Sequence, residues 1–523
     1  MKRKNRCRIV SVIVAAACAA GLGGCRETPD ESAVVDKSDG ISEAVEAEPL
    51  AEGETRIIEV PERWEQTEKW NKDRWIFRAD VELESVEAGN LPVVELKQHS
   101  MTQEELEELV EYFADGEELY VPLQTTKDVY QEKLDRIRNM EGVYSVYTID
   151  TVMGDKADKL EQGLELAPEE GTQSQETAEI AFGPRRADPA EDAATDRRKY
   201  ISEETDSMEL YFSADIGEDR ESTISVRKYD PDAGLSGKFE WMTGDQILYQ
   251  KSDIDVYQSM HAEYADVSDT DRAWEQLLDQ CTAMMREQNI DQEEGRRQAE
   301  AFLEEVGITD KSCSYAEPVL WFPEGSYQED LANTYYDSLW QADLSRAEAG
   351  YVYTFHNEIS GLPVDLLSGG NFLGISDSGA ETDSYAPPFP VESITVAVTE
   401  SGVKMFSWTG MSETVSTVME NTSVLPFEKI RDRIVQYLSY CFPGSQPDDS
   451  ESVFEYDLQD ITFGYSYITA YENPDHAWAV PAWLVELKSG SDMYDLTGKR
   501  EMENMQWTYL TVNALDGSVI QNR

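Results

Sequence analysis

Two periods of apolar residues run along the chain, one of three to four positions that predicts helices and one of two that predicts strands. Trp75-Ile-Phe-Arg-Ala-Asp-Val-Glu-Leu-Glu84 alternates along its second half and predicts a half-buried strand, and Pro92 to Leu96 predicts another. Thr102-Gln-Glu-Glu105 has the form of a capping box. It opens a predicted helix with Leu106, Leu109, Val110 and Phe113 on one face and Gly116 at its C-terminal cap. Thr126 starts a second predicted helix, with Tyr130, Leu134 and Ile137 inward. Strand-like runs return at Met208–Phe212 and Ser222–Val226, and the cluster Asp230-Pro-Asp-Ala-Gly234 reads as a turn.

The C-terminal half repeats one pattern twice. A helix over 292–306, with Ala299, Phe302, Leu303 and Val306 on one face, precedes strands at Ala316–Phe322, Tyr351–Phe355 and Ile394–Val398. Ser401-Gly402 then turns the chain into Val403–Trp408. A helix after Pro426, with Ile430, Ile434, Tyr437, Leu438 and Cys441 as its stripe, precedes strands at Ile461–Ala470, Trp478–Leu487 and Trp507–Ala514. Asp516-Gly517 turns into Ser518–Gln521. Each unit therefore reads as a helix followed by an antiparallel meander, the helix covering one face of the sheet. Segments 323–349 and 376–390 read as surface insertions.

The predicted fold class is α+β, multidomain, with antiparallel sheets each packed with a helix and tandem units in the C-terminal half. The expected organisation is a signal segment at 1–24, an acidic tether at 25–55 and a small α+β domain at 56–148. An acidic linker or long loop at 149–200 and a β-rich segment at 201–291 follow, and the two helix-plus-sheet units occupy 292–410 and 411–523.

The N-terminus reads as an address. Lys2, Arg3, Lys4, Arg6 and Arg8 precede Ile9 to Gly21, an apolar and small-residue run too short to span ~30 Å of hydrocarbon as a mature helix. Leu22-Gly23-Gly24-Cys25 follows and resembles the lipobox of bacterial lipoproteins, in which small residues admit the backbone to the signal peptidase and the cysteine thiol accepts a diacylglyceryl group. Two or more acyl chains hold a protein durably on a bilayer, at ~0.8 kcal/mol per buried CH₂. Residues 26–55 carry ten acidic and two basic side chains and no aromatic, which predicts a disordered, self-repelling tether.

Charge sharpens this reading. With 105 acidic and 44 basic side chains the chain carries −61, and loss of residues 1–24 removes five positive charges, leaving 39 − 105 = −66. Such a charge repels phosphate backbones and argues against nucleic acid as a partner. Forty per cent hydrophobic residues permit a core, and a mean hydropathy of −0.54 argues against a polytopic membrane protein.

The chain resembles an uncharacterised lipoprotein family of Gram-positive bacteria classed as a domain of unknown function. The residues that carry this are the Trp75–Glu84 strand, the Met101–Gly116 helix, Lys127-Asp-Val-Tyr130 and Leu425-Pro-Phe-Glu-Lys-Ile430. Gly464-Tyr465, Val480-Pro-Ala-Trp-Leu-Val-Glu-Leu487 and Tyr509-Leu-Thr-Val-Asn-Ala-Leu-Asp-Gly-Ser-Val-Ile520 resemble the PepSY and cystatin-like units of extracytoplasmic regulators of the YycH/YycI and YpeB type. The resemblance implies a non-enzymatic sensing or partner-binding module and supplies no catalytic residues.

Motifs for chemistry are sparse. His99, His261, His356 and His476 form no H-E-x-x-H or H-x₃₋₅-H pair. Gly374-Ile-Ser-Asp-Ser378 lacks the second glycine of a nucleophile elbow, Gly234-Leu-Ser-Gly-Lys238 the length of a P-loop, and Asp230–Gly234 the pattern of a calcium loop. Ser225-Val-Arg-Lys228 and Ser401-Gly-Val-Lys404 match S-x-x-K, and Lys488-Ser-Gly490 is similar to a K-T-G box. Both serines fall in predicted strand or turn, whereas the penicillin-recognising enzymes place theirs at the start of a helix. Cys281, Cys313 and Cys441 follow Cys25. Cys281 and Cys313 either pair or, with Cys441, are small buried thiols. Trp64, Trp70, Trp75, Tyr335, Tyr336 and Trp340 lie in polar settings suited to protein or carbohydrate contact as well as to a core.

The expected function is a lipid-anchored, extracytoplasmic lipoprotein on the cell membrane. It is held in the bilayer through Cys25 after recognition of Leu22, Gly23 and Gly24, and binds a protein or envelope partner without catalysis, metal or cofactor. A solute-binding lipoprotein of a transporter is the alternative, and a carboxylate-based hydrolase the third reading.

Overall fold

The structure, a computed structural model, describes residues 41–523 except 43–44, 140–153, 170–175, 187, 195–202, 231–234, 245–247, 256–268, 310, 324–342, 365–390, 442–452, 471–472, 474, 495–499, 503–505 and 521–523. The first elements are β1 (Arg56–Ile58), β2 (Arg63–Trp70), β3 (Trp75–Glu82), β4 (Val86–Ala88), β5 (Val93–Gln98), α1 (Gln103–Ala114), β6 (Leu119–Tyr120), α2 (Lys127–Asn139) and α3 (Gly154–Leu166). After them come β7 (Tyr211–Ile216), β8 (Ser222–Arg227), β9 (Lys238–Thr243), β10 (Leu248–Gln250), α4 (Asp269–Arg286), α5 (Gln292–Glu305), β11 (Lys311–Trp321), β12 (Glu348–Ile359), β13 (Leu362–Pro363), β14 (Ser393–Thr399) and β15 (Gly402–Thr409). The chain closes with β16 (Ser412–Met419), α6 (Phe427–Cys441), β17 (Phe454–Thr469), β18 (His476–Tyr494), β19 (Arg500–Met502), β20 (Gln506–Asn513) and β21 (Val519–Ile520).

Two large sheets carry an α+β fold. The first runs β10-β11-β12-β14-β15-β9-β8-β7-β6. The second runs β16-β5-β18-β17-β3-β2, with β20 and β21 following β18. Both repeats expected from sequence are present as a helix plus a four-stranded antiparallel meander: α5 with β11, β12, β14, β15, and α6 with β17, β18, β20, β21. A third set, α1 with β6, β7, β8 and β9, has the same order. It escapes sequence reading because β6 is only two residues long and lies some ninety residues before β7. The α1 and α5 sets join edge to edge where β9 pairs antiparallel with β15.

The helices bury the faces that their periodicity predicts. Thr102 caps α1 through the expected capping box with Glu105, and Leu106, Leu109, Val110 and Phe113 are buried. Its last turn closes on Asp115 in the left-handed region (φ 47°), with Gly116 (φ 86°) following. Phe113 stacks on Trp241, Phe239 and Phe406 with ring centroids 4.8–5.5 Å apart, and Phe302 of α5 meets Phe406 at 5.4 Å. Phe427, Ile430, Ile434 and Leu438 of α6 are buried in the core of the second sheet with Phe463, Tyr465 and Trp483.

Several expectations change. Within 56–148 only β1 and β4 pair in a sheet of their own: β2, β3 and β5 enter the second sheet with the C-terminal strands, whereas α1 and β6 belong with the first. The pairing of β3 with β17 is parallel, so the second sheet is mixed rather than antiparallel throughout. Trp75 stacks on Phe454 there, centroids 4.3 Å apart. Within 149–200, Leu160 of α3 and Ala167 just after it pack with Tyr130 and Leu134 of α2, so that stretch is more than a linker. The described part of the tether is bound to the body. Ala47 N donates to Asn421 O (3.0 Å), Ser423 N to Val45 O (2.8 Å) and Leu50 N to Asn90 Oδ1 (2.7 Å). Residues 376–390 and most of 323–349 lie outside the described residues.

Candidate functional site

Cys25, Leu22, Gly23 and Gly24, together with His261, Gly374–Ser378, Tyr335, Tyr336 and Trp340, lie outside the described residues. Of the histidines described, His99 bridges Glu105 and Glu413 at 3.0 and 3.2 Å, and His476 meets Glu95 at 2.8 Å. No group of three metal-ligating side chains occurs among the described residues. Cys281 and Cys313 are free thiols, so the two do not pair, and burial pushes the Cys281 thiol up to about 12. Trp64 and Trp75 are core residues.

The two S-x-x-K matches behave differently. Ser225 is exposed on β8, and Lys228 lies over the Phe182 ring. Ser401 and Lys404 converge instead on Glu348. Ser401 Oγ and Thr399 Oγ1 donate to its Oε2, and Lys404 Nζ stands 4.0 Å from that oxygen and 4.0 Å above the Trp321 ring. Burial lowers the Lys404 amine. The serine hydrogen is directed at a carboxylate, and the group locks the β14–β15 hairpin rather than opening a helix.

A buried polar group lies where β15 leads into β16 and the chain passes from one sheet to the other. Glu392 is 1% exposed. Its Oε1 accepts from Trp408 Nε1 (2.7 Å) and faces Lys311 Nζ at 3.1 Å, and its Oε2 accepts from Asn357 Nδ2 and Ser412 Oγ, each at 2.8 Å. Ser412 belongs to the second sheet and the other partners to the first. A buried carboxylate with this many donors is satisfied, so its role is to fix the junction. His356 Nδ1 donates to the Glu392 carbonyl (3.0 Å), and burial lowers the imidazole, keeping it neutral.

The face with the most open chemistry lies between β11 and the strands of the second sheet. A β-bulge at Ser314 shifts the register of β11 and re-aims Tyr315. Tyr315 is 51% exposed, and its hydroxyl hydrogen-bonds Glu317. Glu317 is buried and accepts from Ser252 N (2.9 Å) and Ser252 Oγ (3.1 Å). Burial and the nearby Asp253 charge push its carboxyl up. Tyr509 of β20, 39% exposed, interacts electrostatically with Tyr315, and beside Tyr509 stands Glu486. Burial and the charge of Asp460, its cross-strand neighbour, raise Glu486. Two accessible phenol rings thus sit among carboxylates held in a partly dry setting. Sequence reading passed over Tyr315 and Tyr509 because each stands in an ordinary strand pattern, and only the bulge and the approach of the sheets expose and pair them.

No family model matches the chain, and no curated protein matches it. Among solved structures, the chain is similar to a crystal structure of an uncharacterised protein from Eubacterium rectale at 12% identity. The match covers 88% of this chain and 94% of that one, with a TM-score of 0.40.

Proposed function

We propose that this is a lipid-anchored extracytoplasmic protein that binds a protein or envelope partner and carries out no catalysis. The observation that carries the reading is the basic segment, apolar run and Leu22-Gly-Gly-Cys25 at the N-terminus. Binding of residues 45–50 to the body supports it, because the chain leaving Cys25 leads onto a fixed attachment point. Ile41 stands sixteen positions after Cys25, with fifteen residues between them. That span reaches at most ~55 Å, so the body stays within that distance of the bilayer. The Tyr315–Tyr509 face supplies accessible aromatic rings with acidic neighbours, the residue types that anchor interfaces.

The test is crosslinking in intact cells with the full chain, Cys25→Ala, and Tyr315→Ala with Tyr509→Ala, followed by mass spectrometry and a fatty-acid label. The reading expects label only with Cys25 present and a membrane or wall partner whose capture is lost in both variants. An unlabelled wild type overturns the anchor. A transporter in the catch moves the assignment to solute binding.

A further inference from the structure

Arg56 is an anomaly in a chain with 105 acidic side chains. Its guanidinium is partly buried, and among the described residues it has no carboxylate partner. Its hydrogen bond runs from Nη2 to Asn421 Oδ1 at 2.7 Å. That amide oxygen is already shared with Leu91 N at 3.0 Å, while Asn421 Nδ2 donates to Glu48 O at 2.8 Å, so Asn421 brings no charge to the guanidinium. Burial without a counter-charge lowers the guanidinium. Arg56 Nε is itself buried and bonded to nothing.

Tyr465 stands beside it. Its side chain is wholly buried, its hydroxyl likewise lacks a partner, and the two groups interact electrostatically without a hydrogen bond between them. Trp483, on the same core face of β18, has a third buried N–H with no acceptor. A buried donor without an acceptor costs roughly 1–3 kcal/mol, and native interiors leave few such groups. The backbone keeps the place tightly framed. Val364 bridges in parallel to Tyr465, and a Cβ at Gly464 would meet Pro363 O at 2.5 Å.

We propose that Arg56 and Tyr465 form a binding site for a small oxyanion, a carboxylate or phosphate group, which accepts from Arg56 Nε and the Tyr465 hydroxyl and supplies the counter-charge that Arg56 lacks. Arg56 is the half-buried member of the pair, and it lies where the N-terminal segment joins the body through Asn421. Charged acceptors form the stronger bonds to a guanidinium, and the protein's overall negative charge makes the site selective for small anions over polyanionic surfaces. The inference is independent of the partner-binding reading.

The experiment is thermal unfolding and calorimetric titration of the whole chain with sodium phosphate and with sodium acetate, each against chloride at equal ionic strength. Saturable stabilisation by one of the two is expected, and which one acts identifies the source of the oxyanion. Tyr465→Phe removes an unpaired buried hydroxyl, so it is expected to fold at least as stably as wild type while weakening anion binding about 5-fold or more. Arg56→Gln is expected to abolish the response. Shifts no larger than those in chloride, or shifts unchanged in Tyr465→Phe and Arg56→Gln, would overturn the proposal and assign the gap to an internal water.

Discussion

At the scale of single residues, buried ionisable groups set the pH response. His356 lies at the sheet junction with the Glu392 carbonyl on Nδ1 and the Lys311 cation and Glu392 carboxylate facing it, and burial holds it below its ordinary 6.5. A depressed imidazole binds its proton more readily in the unfolded chain, so its contribution to stability is intact above 6.5. That contribution is lost as pH falls from 6.5 towards the lower folded value. Carboxylates held low by their partners, among them Glu95 by His476, Glu413 by Lys97 and Glu455 by Arg78, lose stability in the same direction, but only below 4.5. Glu317, raised by burial, acts with the opposite sign. Denaturant unfolding of wild type and His356→Gln from pH 7.5 to 5 separates these. The difference in stability is expected to shrink below 6.5 by up to ~1.4 kcal/mol per pH unit, and parallel curves would refute the assignment.

At the scale of elements, one buried asparagine ties the N-terminal segment to the second sheet. Asn421 is 2% exposed. Its side chain takes N–H bonds from Arg56 and Leu91 and donates to Glu48, while its backbone carbonyl accepts from Ala47. Asn421→Ala leaves several of these groups unpaired and is expected to cost ~2–3 kcal/mol. Hydrogen exchange should show faster amides at Ala47 and Leu91, while α1 keeps its protection. Unchanged exchange at Ala47 would mean that the other contacts of this segment hold it without the side chain. The same stretch shows the reach of composition. Its acidic, aromatic-free content predicts a free tether, yet Ile41 and Val45 pack against the buried cluster of Val93, Ile468 and Val480. A few apolar residues and backbone bonds outweigh the average over thirty positions.

At the scale of the molecule, the second sheet is not built from one continuous stretch of chain, whereas the first takes the consecutive strands β6–β15. The second takes β2, β3 and β5 from the N-terminal third and β16–β21 from the C-terminal quarter, and β17 and β18 are flanked by those early strands. A fragment of 411–523 therefore lacks the strands that cover β17 and the far end of β18. It is expected to show no cooperative unfolding and no near-ultraviolet circular dichroism, and to recover both when 56–98 is supplied on a second fragment. A cooperative transition in 411–523 alone would show that its helix and meander suffice. The Glu392 group holds the passage between the sheets, with donors from both on one carboxylate.

What the sequence by itself determined is local. The capping box at Thr102, the stripes of α1, α5 and α6, and the turns at Ser401-Gly402 and Asp516-Gly517 are legible because backbone geometry and near neighbours dictate them. So are the two C-terminal meanders, since strands that follow one another along the chain pair with each other. The proposed membrane address at Leu22–Cys25 is likewise read from residue types alone. Only the tertiary structure decided the rest: the parallel pairing of β3 with β17, the transfer of α1 and β6 to the other sheet, the bulge that exposes Tyr315, and the unpaired Arg56 beside Tyr465. Each of these joins residues far apart in sequence. A strand whose apolar face suits several partners carries no mark of which one it will meet, so the choice falls to the packing of the whole chain.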